Sequence, residues 1–119
     1  MRQAVFPEKE NLSHSRGTEF NIYAAGTNAG ATATKAAVTG GSIKVTDIDG
    51  HTDKDALVQI LDGVTVIFEI AVLAAVSKTF HKEFKTPLIS TVSAAMSAVI
   101  SASTSDCFVR IGGFTDKID

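Results

Sequence analysis

By the order of its apolar and polar positions, the chain divides into eight short runs separated by turn residues. They are Glu19–Ala25, Ala31–Thr39, Ser42–Asp49, Ala56–Leu61, Val64–Ala75, Lys78–Lys85, Ala94–Ser103 and Asp106–Phe114. Between most of them stand residues that interrupt regular structure: Gly26-Thr-Asn-Ala-Gly30, Gly40-Gly41, Asp49-Gly50, Asp62-Gly63 and Thr86-Pro87. Runs this short, with no amphipathic helix of ordinary length, predict an all-β domain. The expected form is a single β-sandwich, jelly-roll-like, of about eight antiparallel strands. Composition agrees, because Val, Ile and Thr supply 34 of the 119 residues and their stiffness at χ1 favours pleated backbone.

The segment ALVQILDGVTVIFEIAV (56–72) tests that reading. As a helix it has a capping box in Thr52-Asp53-Lys54-Asp55, a 3, 4, 7 spacing through Leu57, Ile60, Leu61 and Val64, and Gly63 as its terminator. That helix is only two turns long, and the residues after it are β-branched or aromatic almost throughout. As a hairpin, Asp62-Gly63 forms a two-residue turn, with Leu61 opposite Val64, Gln59 opposite Val66 and Leu57 opposite Phe68. Val58, Ile60, Thr65, Ile67 and Glu69 then share the other face. The hairpin accounts for more of the segment. Ser90–Ser103 also fits a helical face through Val92, Met96, Val99 and Ile100, but its six Ser and Thr residues favour strand.

Residues 1–18 are polar and show little periodicity, so the chain is expected to divide into an N-terminal arm over 1–18 and a β-sandwich domain over 19–119. The arm reads either as a disordered terminus or as an extended segment lying on a neighbouring subunit, anchored by Val5, Phe6 and Leu12. Charge is balanced, with 11 basic and 13 acidic residues. The basic residues are scattered, so the cationic stripe that nucleic-acid binding requires is missing. The longest apolar run, Val64 to Val76, is broken by Glu69 and is too short to span a bilayer. The N-terminus lacks the apolar segment of a signal peptide. A soluble protein made in a cytoplasm is expected.

Candidate chemistry is sparse. Cys107 is the only cysteine and lies in an alternating run, where a free thiol acts as a small buried hydrophobe. His14, His51 and His81 show no metal-ligand spacing. Asp47, Asp49, Asp53 and Asp55 place four carboxylates in nine residues and form a weak Ca²⁺ candidate, although the spacing is not that of an EF-hand. The plainer reading is a solvated inter-strand loop. Gly26–Lys35 lacks the Gly-Lys-[Ser/Thr] ending of a phosphate loop, and no nucleophile elbow is present. Glu69 and Glu83, on successive strands, form a possible carboxylate pair. Alternatively, Glu69 faces solvent or an interface, or takes Lys78, Lys82 or Arg110 as a partner. No catalytic residue and no cofactor is expected.

Strands apolar on both faces need cover on both sides, and a small two-sheet domain covers only one. That points to assembly. The order of elements resembles the small β-sandwich or jelly-roll proteins of tailed-phage virions, above all capsid decoration (cement) proteins. The likeness rests on Tyr23-Ala-Ala-Gly-Thr-Asn-Ala-Gly-Ala-Thr-Ala-Thr after the arm, then Ile60-Leu-Asp-Gly-Val-Thr-Val-Ile, then Pro87-Leu before an Ala/Ser-rich strand, and Cys107-Phe-Val-Arg-Ile-Gly-Gly-Phe114 at the close. It implies a non-enzymatic protein on the capsid surface that bridges major capsid subunits as a dimer or trimer. Contact is expected through Phe6, Leu12, Arg2, Lys9 and Arg16 of the arm, without nucleic acid or membrane. The alternative is a carbohydrate- or receptor-recognition β-sandwich associated with a fibre or tail.

Overall fold

The structure, a computed structural model, describes residues 17–27, 29–101 and 106–116. Eight strands form within them: β1 Glu19–Thr27, β2 Ala31–Lys35, β3 Ile43–Thr52, β4 Ala56–Asp62, β5 Thr65–Val72, β6 Thr79–Ile89, β7 Met96–Ile100 and β8 Asp106–Thr115. They build two antiparallel four-stranded sheets, ordered β1-β8-β3-β6 and β2-β7-β4-β5. Each strand of the first half pairs with its mirror in the second: β1 with β8, β2 with β7, β3 with β6 and β4 with β5. The chain is therefore one long ribbon folded back at the β4–β5 turn and rolled into two layers, which is the jelly-roll arrangement.

Alternation along the strands decides which side chains enter the layer between the sheets. β8 contributes Cys107, Val109 and Ile111, β3 contributes Ile43, Val45 and Ile48, β4 contributes Val58 and Ile60, and β7 contributes Met96, Ala98 and Ile100; all are buried. Where β5 and β6 face each other, Phe68 meets Phe84 edge-on, with ring centroids 5.1 Å apart.

Residues 56–72 are a hairpin, but its register differs from the sequence expectation. Asp62 pairs with Thr65 and Leu61 with Val66, so the two-residue loop is Gly63-Val64. The cause is local. The Asp62 carboxylate accepts hydrogen bonds from the backbone N and Oγ1 of Thr91 (3.0 and 2.7 Å), which holds Asp62 in the strand. Gly63 alone takes a positive φ, +63°, and its N–H donates to the Ala95 carbonyl at 2.9 Å. Glycine at the first central position fits a type II′ turn. A bulge at Ile67 follows, after which Ile60 opposes Phe68 and Gln59 opposes Glu69. The bulge, and not the shift of the turn, exchanges faces: Phe68 turns toward the core instead of sharing a face with Leu57 and Gln59.

Two expected breakers lie inside strands. β3 runs through Asp49-Gly50 to Thr52 because Gly50 receives the Phe80 ring; a Cβ there would lie 2.5 Å from Phe80 Cζ and 2.3 Å from the Phe108 carbonyl oxygen. β6 runs through Thr86-Pro87, and it is an edge strand whose register with β3 shifts across this segment, so the missing N–H leaves no ladder bond unmade. β2, β5 and β7 are each shorter than their apolar runs. Ser93 takes a positive φ of +63° in the turn before β7; its N–H donates to the Gly41 carbonyl at 2.8 Å, and its Oγ accepts from the Gly40 N–H at 2.8 Å.

Candidate functional site

The outer face of β1-β8-β3-β6 is a grid four strands wide. Its rows, read from the register, are Ala25–Phe108–His51–Thr79, then Tyr23–Arg110–Asp49–His81, then Asn21–Gly112–Asp47–Glu83, then Glu19–Phe114–Lys44–Ile89. Arg110 organises the middle rows. Its Nε donates to both Asp49 oxygens at 3.1 and 3.2 Å, and Nη2 donates to Asp49 at 3.0 Å and to Asp47. Nη1 donates to Asn21 Oδ1 at 2.8 Å. The guanidinium reaches these partners by lying over Gly112, where a Cβ would stand 2.8 Å from Nη1. A planar fork holding a carboxylate through two nitrogens is the strong form of this contact.

Partial burial pushes Asp47 toward the neutral form, but the hydrogen bonds from Arg110 and Thr46 and the Arg110 charge outweigh it and hold its pKa below the ordinary carboxylate value. Asp49 first, and then Asp47, raise the Arg110 pKa against the opposing effect of burial. Beside this cluster the rings of Tyr23 and Phe108 stand 5.5 Å apart at a tilt of 34°, and His51 stacks on Phe108 at 6.0 Å. Tyr23 is 61% exposed.

The opposite sheet carries a different surface. On its outer face Leu57, Leu61, Val66 and Ala71 lie side by side, interrupted by Gln59, whose Nε2 donates to Glu69 Oε1 at 3.0 Å. Exposed apolar residues continue along β5 and past its end: Val66, Ile67, Ile70, Leu73 and Val76, the last 82% exposed. A groove of about 250 Å³ lies among Ile70, Val72, Leu73, Val76 and Phe80.

The four aspartates of the Ca²⁺ candidate are not brought together. Asp47 and Asp49 are strand residues held by Arg110, not members of a loop. Asp53 Oδ1 lies 3.0 Å from His51 Nε2, and Asp55 accepts from the Ala74 N–H at 2.9 Å. Among the described residues no group of three or more His, Cys, Asp or Glu side chains is placed to hold a metal. Glu69 and Glu83 stand on different sheets, so they form no carboxylate pair, and Glu69 has Gln59 as its partner rather than Lys78, Lys82 or Arg110. His81 lies 3.3 Å from Glu83 and 3.7 Å from Asp49. Cys107 is buried, its Sγ donating to the Ala29 carbonyl at 3.4 Å, and burial raises its pKa. Arg2, Phe6, Lys9, Leu12, His14 and Arg16 lie outside the described residues.

Sequence reasoning missed the grouping of Asn21, Tyr23 and Arg110. The signal was available in β8, where Cys107, Val109 and Ile111 alternate with Phe108 and Arg110 and so push both outward. A scan against protein-family models, a search of curated proteins and a search of solved structures each returned no match to this chain.

Proposed function

We propose that the protein is a non-enzymatic structural component of a virion, of the capsid decoration or cement type, that docks on its neighbours through the apolar β5 edge. The observation that carries this reading is the contrast between two edge strands of one domain. Edge strands offer unpaired backbone groups, and natural proteins guard them with lysine, proline and inward-pointing charge. β6 carries all three: Lys82 and Lys85, Pro87, and Lys82 in register with the buried Ile48. β5, Thr-Val-Ile-Phe-Glu-Ile-Ala-Val, has no lysine, no proline and one charge. Val66 and Ala71 share the outer face with Leu57 and Leu61, and Ile67 and Ile70 remain accessible along the open edge; exposed apolar area of this kind marks a protein contact.

The partners that fit are further copies of this chain and the major capsid protein, with the arm over 1–18 as a second contact. Cementing then works by linkage: whatever binds the assembled shell and not its disrupted form stabilises the shell by mass action.

The test is assembly mass by light scattering across a concentration series, followed by co-sedimentation with expanded phage heads. Wild type is expected to form a dimer or trimer and to bind the heads. Val66→Lys with Ile67→Lys is expected to abolish both while changing the melting temperature little, because both positions are exposed. A monomeric wild type that also fails to bind heads, or a double variant that still does both, refutes the docking reading.

A further inference from the structure

We propose that the outer face of β1-β8-β3-β6 binds a neutral oligosaccharide, with Tyr23 as the stacking platform and the Asn21–Asp49–Arg110–His81 cluster reading hydroxyl groups. The inference goes beyond the assembly reading and does not rest on it, since it uses the opposite sheet.

The first argument is the ring. Tyr23 is the most exposed aromatic residue described, yet Phe108 supports it from the neighbouring strand and His51 supports Phe108 in turn. A flat side chain with two torsions, already braced, loses little freedom when it binds. A pyranose offers a matching shape, an apolar C–H face bordered by hydroxyls. Tyrosine covers the first, and the adjoining polar row meets the second.

The second argument is the state of the polar groups. Tyr23 is the register partner of Arg110, Arg110 of Asp49, and Asp49 of His81. Four strands at the usual spacing make this row about 14 Å long, which suits a short oligomer better than a single ring. Asn21, Asp47 and Asp49 are fixed by Arg110 before any ligand arrives, and fixed partners are what selective hydrogen bonding requires. The adjoining row, through Asp47 and Glu83, borders a polar depression that Thr46 and Phe84 also line.

The third argument is charge, and it selects the ligand class. The two middle rows hold three carboxylates, Asp47, Asp49 and Glu83, against one guanidinium. Nε and both hydrogens of Arg110 Nη2 are directed at Asp47 and Asp49, and Nη1 is directed at Asn21, so Arg110 is not free to clamp an anion. A phosphorylated or sulfated ligand meets net repulsion. The surplus is in acceptors, which suits a ligand rich in O–H donors and without charge of its own.

The chain contains one tyrosine and no tryptophan, so its tyrosine emission reports this face alone. The experiment titrates the full chain with maltohexaose, cellohexaose and mannohexaose in parallel, following tyrosine emission and amide chemical shifts. At least one hexamer is expected to give a saturable change, with shifts concentrated at Asn21, Tyr23, Asp49, His81 and Arg110. Tyr23→Ala, followed by chemical shift and calorimetry, is expected to weaken that binding at least about tenfold with melting unchanged. Val66→Lys on the other sheet is expected to leave it intact, which separates this inference from the assembly reading. No response to any of the three at millimolar concentration overturns the proposal. So does equal binding by Tyr23→Ala, or tighter binding of inorganic sulfate at the same residues.

Discussion

Replacing Arg110 with methionine isolates what the central cluster contributes. Methionine keeps the apolar stem and removes the charged head, so packing changes little and the electrostatics change fully. The side chains are 24% exposed for Arg110, 26% for Asp47 and 32% for Asp49. Hydrogen bonds to charged groups are worth about 1.5–3 kcal/mol each when well shielded. Partial solvent screening lowers that, but the variant also leaves Asp47 and Asp49 facing each other without a cation. A loss of about 2–3 kcal/mol at neutral pH follows, which for a domain of this size lowers the melting temperature by about 8–12 °C.

The pH dependence makes the prediction specific. Asp47 has a folded pKa below its ordinary 3.8, so the stability it contributes is fully present above that value and is lost as pH falls through the folded value. Without Arg110 only Thr46 and His81 remain to oppose the effect of burial on Asp47, so the depression shrinks and the variant has less to lose in acid. Thermal melts followed by circular dichroism from neutral pH down through this window should show the two chains converging below about pH 4. A melting difference under about 2 °C at neutral pH, or a large difference that stays constant into acid, refutes the account of the cluster.

Two further predictions test the packing. Ile60→Ala, at a fully buried position, should cost about 2–5 kcal/mol, whereas Leu57→Ala, three residues earlier on the outer face of the same strand, should cost less than about 1 kcal/mol; comparable losses in chemical denaturation would refute the assigned faces. Cys107 should resist an aromatic disulfide reagent in the native protein and react at least about a hundredfold faster in denaturant, because the thiol is buried and its pKa raised; fast native labelling would contradict that placement.

The strands were legible because alternation and breakers carry the information locally. In β8, Cys107, Val109 and Ile111 recur at every second position, and in β3 Ile43 and Val45 do so up to the bulge that shifts the phase to Ile48. The hairpin register was not legible, because Asp62 is held by Thr91 and Gly63 by Ala95, partners about thirty residues away whose approach is a tertiary event. Gly50 and Pro87 read as breakers for the same reason: their tolerance depends on the Phe80 ring and on an edge position, neither of which a local window contains. The Asp47–Asp55 segment read as a loop beyond the expected run Ser42–Asp49 because carboxylates and glycine are common in turns, whereas β3 continues to Thr52 and Asp47 and Asp49 pair with Arg110 from β8. The assembly of the central cluster from β1, β3 and β8 depends on the order of strands, which alternation leaves open.

The mirror pairing also imposes a timetable on synthesis. β4 and β5 can zip together as soon as both have left the ribosome, but β1 has no partner until β8 appears, and their join is sealed by the Thr18 N–H reaching Thr115 Oγ1 across 97 residues. Closure across that span is entropically slow. The earliest of the eight strands to be made is thus among the last to find its place, and the nascent chain must keep Phe20, Ile22 and Ala24 away from other chains until β8 has emerged.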